Sequence, residues 1–407
     1  WFEQALAAAS KLVELEPTNT NFLHSLGVFN ERMGAIDLRT DVVAARRWFE
    51  QALDVAKTLV ELEPNNTSFV RDLSASYNKM GDIDRRQDAA RARDWFEQAL
   101  AIRKQLVALE PTNQELLRYL SVSYEKMGTI DLHQDPPRAR QMFEQALAIA
   151  KNLAELEPTN LEYLHDLATS YVQMGDIDLG HDSARARWWF EQAVAIARKL
   201  VEFEPANTGF LRDLSASYSR MGEIDLPHDP TRAKDWFDRA LVIAKTLVEL
   251  EPANLRFLRD LSMSYKELGA IDRQQAPARA RPWFEQALAI DKKLVDLEPG
   301  NTAFLRELSV SYSNMGQVDL HQNRVRAREW FERSLVIAKR LVDLEPDNMA
   351  TLRDLCVSEY QVVHASLNEM DDRKVRQLVA SLWHHLRQLD ACGQLDDDLR
   401  PLLTWTP

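Results

Sequence analysis

Little in this 407-residue chain interrupts it: there are 12 Gly, 16 Pro and 2 Cys. Cys356 and Cys392 cannot build a disulfide framework in so long a chain, which points to a reducing, cytoplasmic compartment. No apolar run approaches the ~20 residues that a membrane-crossing helix needs, so no membrane span is expected. Positive charge is also short. Fifty Lys and Arg stand against 63 Asp and Glu, a formal charge of -13, which is the wrong sign for a general phosphate-backbone binder. There is no Gly-rich phosphate loop, paired-Cys metal spacing or His pair of metalloprotease type. The nine His are scattered, so no catalytic residue, metal or cofactor is expected. The opening Trp1-Phe2-Glu3-Gln4-Ala5-Leu6 lacks a Met and a leader pattern and reads as the middle of a helix, so a larger upstream part is expected.

What is present is a repeat. Apolar residues make up 45% and charged residues 28% of the chain, which suits a folded protein. Phe2 returns as Phe49, Phe96, Phe143, Phe190, Phe237, Phe284 and Phe331, a constant step of 47. Pro17, Pro64, Pro111, Pro158, Pro205, Pro252, Pro299 and Pro346 keep the same step, as do Gly34, Gly81, Gly128, Gly175, Gly222, Gly269 and Gly316. The scarce Gly and Pro therefore mark repeat boundaries, and length counts repeats rather than domains.

Within one repeat, Asn66 can cap a helix carrying apolar Phe69, Val70, Leu73, Tyr77 and Met80, with Gly81 expected to close it in the left-handed conformation. This is helix A. A loop from Asp82 to Gln87 is expected next, then Asp88 as the cap of a helix B of about 20 residues. Asp135 and Asp229 are followed at once by Pro136 and Pro230, the favoured residue of a first helical turn.

The pattern Val70, Leu73, Ser74, Tyr77, Met80, Gly81 followed by Ala92, Phe96, Ala99 resembles the tetratricopeptide repeat (TPR) family. Leu117, Leu120, Ser121, Tyr124, Met127 and Gly128 repeat the first half, and Ala186, Phe190 and Ala193 the second. The family's unit is 34 residues, and the longer step here is divided between a longer run from Gly81 to Ala92 and a helix B extended by two turns. The resemblance implies an all-α, right-handed superhelical solenoid of antiparallel helix pairs, of the long kind familiar in bacterial multidomain proteins. We divide the chain into a partial helix B at 1–17, seven repeats over 18–346, and a degenerate eighth repeat with a C-terminal cap over 347–407. In that last part Val363, Lys374 and Leu378 replace the expected Gly, Ala and Phe, and Leu402, Leu403 and Trp405 are expected to cover the exposed end.

The resemblance also implies a function without catalysis: capture of a protein or peptide in a concave groove, as the sensor or scaffold arm of a larger protein. Alternatives are self-assembly or docking of an upstream effector domain, and nucleic-acid binding along an Arg ladder. That ladder, Arg71, Arg118, His165, Arg212, Arg259, Arg306 and Arg353, has two readings: a basic stripe facing the groove, or pairing with acidic residues of neighbouring repeats such as Asp72, Asp166, Asp260, Glu307 and Asp354. The chaperone-tail clamp of the family needs Asn one turn later, where Ala75, Val122, Thr169, Ala216, Met263, Val310 and Val357 stand. Positions that differ between repeats, among them Asn78, Lys79, Lys126, Arg220 and Lys266, are either selective for a partner or merely solvated. Two further ladders are read as structural. Trp48, Trp95 and their successors, with Met142 replacing one, fill space between repeats; Asp84 and its equivalents either line up cations or bond loop N–H groups.

Overall fold

The computed structural model describes residues 2–38, 41–85, 88–132, 134–275, 277–366, 372–395 and 399–403. Among them every regular element is helical. The chain divides into two compact parts, Trp1–Phe203 and Glu204–Pro407. The first holds α1 (Phe2–Leu15), α2 (Thr20–Asp37), α3 (Val42–Leu62), α4 (Thr67–Asp84), α5 (Ala89–Leu109), α6 (Gln114–Asp131), α7 (Pro136–Leu156), α8 (Leu161–Asp178) and α9 (Ser183–Phe203). The second holds α10 (Thr208–Asp225), α11 (Pro230–Leu250), α12 (Leu255–Gln275), α13 (Pro277–Leu297), α14 (Thr302–Asp319), α15 (Arg324–Leu344), α16 (Met349–Ser366), α17 (Asp372–Ala391) and a short 3-10 turn, Arg400–Leu403. Within each part every helix packs on the next in sequence, the arrangement of a helix-pair solenoid. Even-numbered helices are the A helices and odd-numbered ones the B helices.

Each joint is made locally. Asn66 Oδ1 accepts from the Ser68 N–H at 3.1 Å, while its Nδ2 donates to Glu63 at 2.9 Å, so one side chain caps helix A and ties it to the end of the preceding helix B. The same pair recurs at Asn113 with Glu110 and at Asn301 with Glu298. At the start of helix B, Asp88 and Asp135 accept from the N–H groups of Arg91 and Arg138. Between the helices of a pair lie Phe96, Ala92 and Ala99, all fully buried. Burying a Phe side chain in this way contributes about 1.5–3 kcal/mol.

The glycine ladder departs from its expected role. Helix α4 continues through Gly81 to Asp84, and among the described residues Gly393, with φ 67°, is the only glycine in the left-handed region. A Cβ at Gly81 would lie 2.4 Å from the Phe96 ring, and one at Gly128 2.6 Å from Phe143. The glycine therefore serves close approach of an aromatic ring, not helix termination. The expected loop shortens accordingly, since Asp82, Ile83 and Asp84 are helical; Arg86 and Gln87 lie outside the described residues.

The Asp ladder also corrects the expectation. Asp84 is buried and its carboxylate accepts from Trp95 Nε1 at 3.0 Å, lies 3.3 Å from Arg91 Nε and 2.5 Å from Arg46 Nη1. Arg46 belongs to the preceding helix B, so the carboxylate fastens two repeats with guanidinium and indole donors. The tryptophan is thus a hydrogen-bond donor as well as a filler, stacked on Tyr77 with ring centroids 5.7 Å apart. Where Met142 replaces it, Asp131 keeps Arg93 and Arg138 without an indole donor, and burial pushes its carboxyl above the usual range.

At the C-terminal end Leu399, Leu402 and Leu403 pack on the apolar cluster shared by α15, α16 and α17; Trp405 lies outside the described residues. Glu359, fully buried, accepts from Ser381 Oγ at 2.6 Å and lies 3.0 Å from His385 Nδ1, a polar replacement for the apolar signature of the earlier repeats. No described helix is long and apolar enough to cross a membrane.

Candidate functional site

On α4, Arg71, Ala75, Asn78 and Lys79 share one face by their helical spacing, and the 47-residue step repeats that face on every helix A. The Arg ladder lies along it as a chain of ion pairs between successive repeats. Arg118 Nε is 2.6 Å from Asp166, and its Nη1 is 2.7 Å from Glu162. Arg212 reaches Asp260 at 2.6 Å, Arg259 reaches Glu307 at 3.2 Å, and Arg306 reaches Asp354 at 2.8 Å. Arg71 lies 3.6 Å from both Asp72 and Glu115, and His165 is 3.7 Å from Asp166. These six thus have an acidic neighbour, in most cases on the next repeat. Arg353 lines a cavity of about 220 Å³ with Arg306 and Asp354.

The positions that vary between repeats separate into three kinds. Lys79 is exposed. Lys126 and Arg220 are partly exposed and paired, Lys126 to Asp82 at 2.5 Å and Arg220 to Glu223 at 2.8 Å. Asn78 and Lys266, expected on the surface, are buried at 5% and 6% exposure. The reason is a helix B position that holds Ala56, Ala150, Ala197, Ala244 and Ala338 elsewhere but Arg103 and Asp291 in two repeats. Each of those charges is buried and needs partners. Lys266 lies 2.9 Å from Asp291 and 2.7 Å from Glu307, and the Asn78 carbonyl oxygen accepts from Arg103 at 2.7 Å.

Beside the ion pairs runs an apolar row that the sequence displayed only as missing asparagines. In the first part Val28 is exposed at 40% and Val122 half-buried; in the second, Met263 and Val310 are exposed at 39% and 44% and Val357 is half-buried. Small hollows open along the same face: one of about 220 Å³ bordered by Arg212, Ala216, Ser219, Met263 and Glu267, and one of about 130 Å³ bordered by His24, Val28, Glu31 and Ala75. Carboxyls within this face are desolvated. Burial, with Asp166 nearby, pushes Glu125 up to about 7, and burial with Glu223 nearby pushes Glu267 up to about 8. The face therefore combines apolar contacts, paired arginines and carboxyls that are protonated more readily than usual.

The helix pairs carry a recognisable signature. A family profile for the Sel1 repeat matches residues 24–54, 73–101, 124–148, 162–195, 213–241 and 307–335, each match beginning in a helix A and ending in the following helix B. The chain is built of Sel1-type, TPR-like repeats. Repeats of this kind generally serve as protein-interaction modules and are typically non-enzymatic. Solved structures similar to this Sel1-type array include a tetratricopeptide repeat protein from Parabacteroides merdae, at 15% identity over 82% of this chain and 98% of that one, with a TM-score of 0.43. Others are TTC0263, a thermophilic TPR protein of Thermus thermophilus (19% identity, 58% of this chain and 98% of that one, TM-score 0.34), and human IFIT1 (19%, 83% and 69%, TM-score 0.40). No curated protein matches the chain.

Proposed function

We propose that the helix A face binds an extended or helical segment of a partner protein, with the array acting as the sensor or scaffold arm of a larger assembly. The observation that carries this reading is the exposed pair Met263 and Val310 of the second part, flanked by the pairs of Arg212, Arg259 and Arg306 with Asp260, Glu307 and Asp354. An apolar row supplies affinity, and a polar margin that differs from repeat to repeat selects the partner. The paired arginines orient and exclude; Arg212 and Arg259 already carry their own carboxylates, which works against a stripe that tracks nucleic-acid phosphates. The test is selection of peptides from a displayed library against the whole chain, followed by Met263→Asp and Val310→Asp together. These exposed substitutions should abolish binding of the selected peptides while leaving the helical circular dichroism unchanged. Peptides that bind the double variant as well as the parent would end the reading.

A second reading, self-assembly or docking of an effector domain, draws on another row. Leu109, Leu156, Leu250 and Leu297, at the ends of the long B helices, are exposed at 72%, 58%, 48% and 55%. Sedimentation across a hundredfold range of concentration distinguishes self-association, and a constant monomer mass removes it.

A further inference from the structure

The position after the buried Asp of each helix A is Leu in most repeats: Leu132, Leu179, Leu226 and Leu320. Leu226 and Leu320 pack against the apolar clusters of their repeats. In α12 the residue is Arg273, whose partners are two neutral amides, Gln317 Oε1 and, at 3.5 Å, Asn314 Oδ1. Its guanidinium also stands 6.0 Å from the Phe284 ring centroid. Among the described residues no carboxylate pairs with it, although the chain carries 63 acidic side chains. Burial pushes its pKa below the usual arginine value.

Arg273 opens onto a cavity of about 650 Å³ between α12, α14, α16 and the 3-10 turn. The volume lies within the ~300–1,000 Å³ usual for small-molecule sites. Its apolar wall is Val318, Phe331, Val357, Leu399 and Leu402. Arg273 is the one Arg or Lys among the described lining residues, and none of those residues is Asp or Glu. In a molecule of formal charge -13, a cavity whose described lining holds no carboxylate but does hold a guanidinium met only by amides has the polarity of an anion site. One guanidinium matches the two oxygens of a carboxylate, whereas a phosphate dianion would also call on His321 and His364, which line the same cavity, as further cations. The apolar wall calls for a hydrocarbon body.

We propose that this cavity binds a small apolar monocarboxylate, the carboxylate held by Arg273 and Gln317 and the hydrocarbon body lying against Phe331, Val357 and Leu402. The site shares Val357 with the helix A face but needs no peptide, so the octanoate test and the peptide test fail separately.

The test uses the whole chain with octanoate and 1-octanol as probes, read by saturation-transfer NMR and calorimetry. The parent chain should bind octanoate saturably. Arg273→Gln, which keeps an amide able to meet Gln317, should weaken octanoate at least tenfold, consistent with loss of a charge-assisted hydrogen bond, and leave 1-octanol unchanged. Leu402→Glu, which puts a like charge in the apolar wall, should lose octanoate altogether. The proposal falls if the parent chain shows no saturable octanoate binding at millimolar concentration, if Arg273→Gln binds it as well as the parent, or if Leu402→Glu retains it. Tighter binding of octyl phosphate than of octanoate would overturn the choice of a monocarboxylate.

Discussion

Arg103 in the first part of the chain and Asp291 in the second stand four repeats apart at the same position of helix B, with opposite charge. Their surroundings correspond residue by residue. Arg103 donates to Ser74 Oγ at 3.2 Å and Ser123 Oγ at 3.0 Å; Asp291 accepts from the equivalent Ser262 and Ser311 at 2.6 and 2.5 Å. A hydroxyl both donates and accepts, so the same two serines serve either sign. The difference lies in the third partner. Asp291 has Lys266, which also meets Glu307, whereas Arg103 has Asn78, the Tyr119 carbonyl at 2.5 Å and the Tyr119 ring 5.4 Å away. The first is a compensated buried charge. The second is a buried guanidinium held by neutral groups, and burial lowers its pKa to about 10. A repeat lattice thus tolerates a charge of either sign in its interior once two serines face it, and the neighbouring helix A residue decides how costly that charge is.

Charge inversion breaks the comparison most strongly. Asp291→Arg would set a guanidinium beside the buried Lys266 and should cost about 3–5 kcal/mol, read as a shifted urea midpoint. Adding Lys266→Asn and Glu307→Tyr rebuilds the surroundings of Arg103 and should restore more than half of the loss; absence of any rescue would refute the equivalence of the two sites. Next in size is the third partner. Lys266→Ala leaves Asp291 without a counter-charge and Glu307 with Arg259 alone, and should cost about 3 kcal/mol, while Asn78→Ala should cost about 1 kcal/mol. Equal losses would mean that the two sites do not differ as described.

A smaller effect concerns protons. Glu267 follows Lys266 but faces Ser219 Oγ at 3.3 Å, and burial pushes it up to about 8. For Glu307 burial is overcome by Lys266 and Arg259, and its carboxyl falls below the usual value. Because the folded pKa of Glu267 exceeds the unfolded one, the folded state holds this proton more tightly. The associated stability is complete below about pH 4.5 and is lost as pH rises through about 8. Glu267→Gln should therefore match the parent at pH 5 and exceed it by about 1–2 kcal/mol at pH 9 in thermal unfolding. Smallest of all, Arg103→Ala restores the residue found in five other repeats and should change stability by less than about 1 kcal/mol.

Local structure was legible in the sequence wherever the cause is local. Asn66 and Pro136 announce helix starts because a cap or a fixed φ acts within one turn. Gly81 misled because a glycine near a helix end looks the same whether it turns the chain or clears room for Phe96, a residue of the next helix. The acids opposite the Arg ladder were visible, but which acid meets which arginine depends on the distances between repeats. Arg103 and Asp291 break a column of alanines in plain view; that Asn78 and Lys266 answer them depends on how α4 lies on α5 and α12 on α13. Arg273 likewise interrupts a column of leucines, and only the cavity beside it gives the interruption a direction.

The carboxylate at the end of helix A fastens two repeats. Asp84 is a three-point fastening: Arg46 from one repeat, Arg91 and Trp95 from the next. At Asp131 the substitution of Met142 leaves two points. The number of donors gathered on this one carboxylate therefore differs from joint to joint, and between Asp84 and Asp131 the difference is a single indole N–H.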